Sequence, residues 1–276
     1  MTAAASRPRA LVTGASTGIG RELVLLLAAR GYDLVITARR QALLDELAAE
    51  LRASHPGITV TSIAADLGAP GGASTVWQGA TAGGALDVLV NNAGFGYYRT
   101  FTTGEWSRDA ELLQLNVVSL AELCHRFVSA ALAAGTASPA YLLNVASIAA
   151  YQAIPNFASY AASKAYVRNF SEALHDELAG TRVRVSCVCP GGTKTPFHEA
   201  AGAGNYGKLA SSSMMTAPAV AQIALDGMFA GKRVVIPGAI NKLSCLGARL
   251  APRRWASRMA VWVLGPPRDE ALPPRK

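Results

Sequence analysis

The sequence predicts an α/β fold: one domain built on a doubly wound parallel sheet of about seven strands with helices on both faces. Three observations carry this. Short runs rich in Val, Leu and Ile alternate with helix-periodic segments from Arg9 to Ile236. The first of these runs ends in a glycine-rich turn that opens a helix, Thr13-Gly14-Ala15-Ser16-Thr17-Gly18-Ile19-Gly20. No linker or internal repeat divides the 276 residues, enough to bury one sizeable core. Strands and helices alternating at this spacing favour parallel pairing, with helices covering the sheet.

The elements follow in order. Arg9–Thr13 reads as a short buried strand, and Arg21–Arg30 as an apolar helix stopped by Gly31. Asp33–Thr37 is a second strand. Gln41–Ser54 is a helix with leucines at 43, 44, 47 and 51. Ile58–Ala64 is a third strand, Gly68–Gly72 a turn, and a weak helix runs on to about Ala82. Leu86–Val90 is the fourth strand. A long helix, broken at most once, is expected from about Glu105 to Ala134. Ala140–Val145 is the fifth strand, Phe157–Ala179 a helix, Arg182–Val188 the sixth strand and Arg233–Ile236 the seventh. Residues 1–239 form the nucleotide-binding and catalytic body on this reading, and residues 240–276 a helical extension and tail of the same domain.

Composition narrows the classes. Hydrophobic residues make up 51% and charged residues 16%, which excludes a disordered chain. Met1–Pro8 has no apolar core, so no secretion leader is expected, and no run approaches 18 continuous apolar residues, so no membrane span is expected. The four cysteines have no zinc spacing and read as buried free thiols in a reducing cytosol, which makes a cytoplasmic location the expectation. The net charge of +8 comes from Lys232 onward, where ten basic residues face two acidic ones; a basic tail of this kind does not predict a nucleic-acid partner.

Three motifs carry chemistry. In the glycine turn the backbone can approach a phosphate, and the helix start supplies free N–H groups and a positive dipole end. Its spacing is G-x-x-x-G-x-G, not the more familiar G-x-G-x-x-G. The same residues fit G-x-S-x-G around Ser16, the turn of α/β-hydrolases. Position argues against that reading, because the turn follows the first strand and no histidine near the C-terminus sits in a catalytic context. The second strand ends Ala38-Arg39-Arg40, where NAD-selective sites place a carboxylate; a guanidinium here suits the 2′-phosphate of NADP. Finally, Ser147 follows an apolar strand, and Tyr160 and Lys164 are spaced i, i+4, on one helix face about 6 Å apart. A free tyrosine has a pKa near 10. An adjacent ammonium is expected to favour the phenolate and make Tyr160 a proton donor and acceptor.

Together these residues resemble the short-chain dehydrogenase/reductases over Arg9 to about Ile236. The resemblance rests on TGASTGIG (13–20), Asp66 after the third strand, NNAG (91–94), Asn116 in LNVVS, Ser147, Tyr160-x-x-x-Lys164, and Pro190-Gly191 followed by Thr193 and Thr195. It implies a Rossmann fold with strand order 3-2-1-4-5-6-7 and an NADP(H)-dependent oxidoreductase that interconverts a carbonyl and an alcohol. Gly14, Ser16, Thr17, Gly18, Ile19 and Gly20 would cradle the phosphates, and Arg39 with Arg40 would hold the 2′-phosphate. Asp66 and Leu67 would border the adenine, and Asn92, Ala93 and Gly94 the adenosine ribose. Pro190, Gly191, Thr193 and Thr195 would border the nicotinamide and diphosphate. The resemblance makes Tyr160 the acid–base, Lys164 its ribose-binding assistant, Ser147 the group that orients the carbonyl, and Asn116 the holder of a relay water. It also implies a homodimer or homotetramer formed through the helices at 105–134 and 157–179. A non-catalytic NADPH-binding sensor on the same fold is the alternative.

The substrate pocket is expected between loops that follow the strands. Its candidate residues are Phe95, Tyr97, Tyr98, Ile148, Ala149, Tyr151, Ile154 and Phe157, with Phe197, His198, Tyr206, Met214 and Met215 on a flap over Thr195–Thr216. Their apolar character points to a hydrophobic carbonyl or alcohol. In the extension, Trp255, Met259, Trp262 and Val263 fall at helical spacing, with Arg253, Arg254 and Arg258 largely elsewhere. This segment can pack on its own pocket, meet a partner subunit, or touch a membrane through residues 249–264.

Overall fold

The computed structural model describes residues 7–202 and 214–264; the side chains of residues 198, 199 and 261–263 lie outside that description. The flap candidates His198 and Tyr206, the side chains of Trp262 and Val263, and the proline-rich end from Asp269 therefore fall outside it. Seven strands form one parallel sheet: β1 (Arg9–Thr13), β2 (Asp33–Ala38), β3 (Val60–Ala64), β4 (Val88–Asn91), β5 (Ala140–Val145), β6 (Val183–Val188) and, after two short strands, β9 (Val234–Val235). Their order is β3-β2-β1-β4-β5-β6-β9. The expected doubly wound topology is therefore present. The chain winds outward from β1 in one direction and from β4 in the other, so a crevice opens where these two neighbours diverge.

The strand sequences explain the layers. Successive side chains point to opposite faces. Val12, Ile36 and Val90 join a core under α1 (Gly18–Ala29), α2 (Gln41–Ser54) and α8 (Ala217–Phe229). Leu11, Val35 and Leu89 join the opposite core under α3 (Gly72–Thr81), α5 (Leu120–Ala133) and α6 (Ala158–Glu177). Residues apolar in both registers are what a sheet covered on both faces requires. Each fully buried Leu, Ile or Val contributes about 1.5–3 kcal/mol relative to exposure.

The single long helix expected at 105–134 is a composite. α4 (Trp106–Leu113) passes through a π-helical turn at Gln114–Ser119 into α5. By length and composition the run from Trp106 to Ala133 is apolar enough to cross a bilayer, but its buried Leu112, Leu120, Leu123, Phe127 and Ala131 pack on the protein core. Sequence reading also missed the small β7–β8 pair (Thr193–Lys194 with Met215–Thr216) and α7 (Phe197–Ala200). Elements of two to four residues are too short for periodicity to reveal. Past β9 lie α9 (Ala239–Leu250) and α10 (Arg253–Leu264). The four cysteines are buried free thiols, with Cys187 and Cys189 sulfurs 4.0 Å apart.

Candidate active site

At the crevice lies a cleft of about 1600 Å³ that runs from the glycine turn to α10. The turn is built for close approach. Gly14 has φ +64°, and a Cβ there would lie 2.8 Å from Ala93 Cα. A Cβ on Gly20 would lie 2.2 Å from the Gly14 carbonyl oxygen. Thr13 and Asn92 tie the turn to β4. The Asn92 amide donates to the carbonyls of Thr13 (2.9 Å) and Gly14 (3.1 Å), and the Thr13 hydroxyl accepts from the N–H groups of Asn92 and Ala93 (both 3.0 Å). No side chain caps the start of α1, whose first turn lines the cleft through Gly18 and Ile19. Bare glycine backbone beside an uncapped helix start fits a diphosphate.

The catalytic candidates converge farther along the cleft. Ser147, at the end of β5, accepts a hydrogen bond from the Ala149 N–H (3.1 Å) and bonds the Tyr160 hydroxyl. Tyr160 is buried, its ring stacked on Phe157 at 4.3 Å and tilted against Phe197 at 5.6 Å. Lys164, also buried, donates to the Val145 carbonyl (2.9 Å), with its Nζ 5.8 Å from the Tyr160 ring centroid. Burial pushes the Tyr160 pKa up to about 12, partly offset by the Ser147 hydrogen bond, and pushes Lys164 down to about 8. The expectation that the neighbouring ammonium stabilises the phenolate is thus corrected. Desolvation by burial is the largest cause, the Ser147 hydrogen bond offsets part of it, and Tyr160 is held as the neutral acid.

Asn116 lies beside Gly94, where a Cβ would come within 3.0 Å of its Oδ1. It sits in the π turn, fully buried. Its amide nitrogen donates to the Phe95 carbonyl and the Ser163 hydroxyl (both 3.1 Å), while its Oδ1 accepts from the Phe95 N–H (3.2 Å). Both donors are spent on protein, so this side chain clamps the Gly94–Phe95 loop to α6. A π turn is a frequent marker of a functional position.

At the Asp66 end of the cleft, the Asp66 carboxylate accepts from the Gly68 N–H (2.8 Å), and the Ser119 hydroxyl donates to the Leu67 carbonyl (2.6 Å). Arg39 lines the cleft and is 63% exposed, in a 3.2 Å ion pair with Glu111, which also pairs with Arg108 at 2.6 Å. Glu111 was not singled out from the sequence, since it lies 72 residues from Arg39. Beneath Gly191 is Asn241, also missed; a Cβ on Gly191 would lie 2.3 Å from its Oδ1.

Among the described residues predicted for the phosphates, ribose, nicotinamide, catalysis and pocket, all line the cleft except Gly20, Tyr97, Tyr98, Asn116, Tyr151 and Met215. Gly20 lies beneath the turn. The Tyr97 hydroxyl accepts from the Glu105 N–H (3.1 Å), on the outer side of its loop. Tyr151 is turned against Arg168, whose guanidinium carbon is 4.3 Å from its ring centroid. Tyr98 is fully buried edge-on to Phe157, and Met215 also lies outside the lining, whereas Ile154 joins it. The cleft gains lining that the motifs did not indicate, from Ile240 and Leu243 on α9 and from Ala256, Met259, Ala260 and Leu264 on α10.

Comparison with known proteins agrees with this geometry. The family model for short chain dehydrogenase matches residues 8–206, and the chain belongs to that family. It is therefore an oxidoreductase with a nicotinamide-cofactor site. It is 35% identical over 187 residues to an uncharacterized oxidoreductase of Myxococcus xanthus, covering 67% of this chain and 72% of that one. It is 32% identical over 184 residues to the very-long-chain 3-oxoacyl-CoA reductase of Mycosarcoma maydis, covering 65% of this chain but only 51% of that longer protein. A short-chain dehydrogenase from Sphingobium yanoikuyae, solved in complex with NADPH, superposes with a TM-score of 0.77 at 30% identity, covering 88% of this chain and 93% of that one.

Proposed function

We propose that this protein is an NADP(H)-dependent reductase that interconverts a ketone or aldehyde and the corresponding alcohol on a hydrophobic substrate. The observation that carries the proposal is the meeting of Ser147, Tyr160 and Lys164 in one cleft with the glycine turn and Arg39. A bound nicotinamide supplies or accepts the hydride. Ser147 and Tyr160 donate hydrogen bonds to the substrate oxygen and fix the carbonyl between them. Tyr160 gives its phenolic proton to the oxygen as negative charge develops there. Lys164, charged below about pH 8, holds the nicotinamide ribose and keeps a positive charge beside Tyr160, its Nζ 5.8 Å from the ring centroid. Asp66 and Leu67 border the adenine.

The substrate reading rests on Phe95, Ile148, Ala149, Phe157, Phe197 and Met214, which line the cleft around Tyr160, and on the long acyl chain named for the Mycosarcoma maydis relative. A non-catalytic sensor would not need Ser147, Tyr160 and Lys164 to meet. Exposed Val118, Leu132 and Tyr166 on the π turn, α5 and α6 support a homodimer or homotetramer formed through those helices.

The test is the loss of reduced-nicotinamide absorbance with a panel of ketones, aldehydes, steroids and long-chain 3-oxo thioesters. Turnover with NADPH and little with NADH is expected, and a protein that turns over no member of the panel contradicts the proposal. Arg39→Ala should erode the preference by about ten- to a hundredfold, the value of one charge-assisted hydrogen bond. Glu111→Gln, which frees Arg39 from its ion pair, should sharpen it. An unchanged NADPH to NADH ratio of kcat/KM in the Arg39 variant would place the 2′-phosphate elsewhere.

The pH dependence follows from the two shifted groups. Reduction needs Tyr160 protonated, which holds throughout the neutral range, and Lys164 charged, which holds below about pH 8. The reduction rate should therefore fall as pH rises through about 8, and oxidation should gain as pH rises further. Lys164→Arg, whose cation persists, should move the falling limb to higher pH. A limb that stays in place in that variant belongs to another group.

A further inference from the structure

Past the last strand of the sheet, α9 and α10 carry an apolar surface that the described residues leave uncovered. On α9 the packed face is Asn241 and Cys245, both buried. The side turned away from the protein is not polar. Ile240, Leu243, Leu246 and Leu250 recur every three or four residues, and Leu243 and Leu250 are 70% and 77% exposed. On α10, Ala256 and Ala260 face the protein, while Trp255 and Met259 are exposed at 69% and 62%. This is the reverse of an ordinary surface helix, whose apolar stripe faces the core. Around the patch stand Lys242, Arg249, Arg253, Arg254 and Arg258, all exposed. From Lys232 to Leu264 the sequence has seven cations and no Asp or Glu.

We propose that this face of α9 and α10 docks on an anionic lipid bilayer, with the apolar side chains in the interface and the cations among the headgroups. Apolar side chains flanked by Lys and Arg, with a tryptophan at the boundary, are the chemistry of an in-plane membrane helix. Charge selects the occupant. A twofold dimer through this face would set Arg253, Arg254 and Arg258 of one copy near those of the other, with no carboxylate between Lys232 and Leu264 to pair them. Anionic headgroups supply the missing charge, and the faces proposed above for oligomer contact lie on other helices. The position has a consequence for the cleft. Ile240, Leu243 and Met259 belong both to the exposed patch and to the cleft lining, so the docked protein turns the cleft mouth toward the lipid.

The test is flotation of the full chain with vesicles of phosphatidylcholine alone or mixed with phosphatidylglycerol. It needs no substrate or turnover, so it stands or falls apart from the reductase proposal. Binding to the anionic vesicles only, weakening with salt, is expected. Leu246→Glu/Leu250→Glu alters two exposed side chains outside the cleft lining and should reduce binding more than tenfold. Arg253→Ala/Arg254→Ala/Arg258→Ala should do the same, since each cation near the surface is worth about fivefold. Wild-type protein that floats with neither vesicle overturns the proposal. So does binding that survives both variants, which would belong to another part of the chain. A dimer in vesicle-free solution that Leu246→Glu/Leu250→Glu converts to monomer would assign the face to a second copy and overturn it as well.

Discussion

Tyr160→Phe should lower turnover by about 10²–10⁴-fold, the usual contribution of a positioned acid–base group, while NADPH affinity stays close to that of the wild-type protein. The two readouts separate because the ring and the hydroxyl do different work. The ring fills space against Phe157 at 4.3 Å and Phe197 at 5.6 Å, and phenylalanine preserves both contacts. The hydroxyl bonds Ser147, whose oxygen keeps the Ala149 N–H as a partner after the substitution. Folding should therefore lose only about 1 kcal/mol, the net value of one hydrogen bond. The measurements are kcat on a ketone substrate and a fluorescence titration with NADPH. Wild-type turnover would remove Tyr160 from the chemistry. Joint loss of turnover and cofactor binding would make it a structural residue of the cleft.

The local parts of this site were legible in the sequence, and the parts made by distant segments were not. The glycine turn and the i, i+4 pair of Tyr160 and Lys164 are set by chain geometry alone, and β1 and α2 fall on their expected bounds. The direction of the Tyr160 pKa shift was not legible, because it follows burial by segments distant in sequence, with Phe197 from beyond β6 among the rings against it. Asn116 was placed correctly within its motif, but its bonds to Phe95 and Ser163 join residues 21 and 47 positions away. Tyr97, Tyr98 and Tyr151 look like pocket residues because they are aromatic and follow strands. Loop direction, which composition does not encode, turns them elsewhere. In the extension, the apolar residues were noted as one helical stripe. Its described members, Trp255 and Met259, are both exposed, while Ala256 and Ala260, which the stripe did not include, pack inward. Small alanines fit the close helix-to-body contact.

Gly20→Ala should be the most damaging single methyl in the protein's nucleotide site. The added Cβ would lie 2.2 Å from the Gly14 carbonyl oxygen and 2.4 Å from the Asn92 amide nitrogen. The carbonyl cannot yield easily, because Asn92 bonds it and the preceding Thr13 carbonyl together, and Gly14 itself sits at φ +64° against Ala93. Relief must come from moving α1 away from β4, which opens the phosphate cradle and the core beneath it at once. Forced overpacking of this kind costs about 1–3 kcal/mol or more, and NADPH affinity should fall with it. Gly247→Ala is the matched control. Gly247 lies within α9, and among the described residues nothing outside its own helix backbone stands within 4 Å of the position its Cβ would take. There the same methyl should stabilise the protein by about 0.5–1 kcal/mol through helix propensity. Thermal unfolding of both variants with and without NADPH reads the contrast. A Gly20→Ala protein that melts like the wild type and gains the same stabilisation from NADPH would show that the close contact between α1 and the turn is not what builds the cradle.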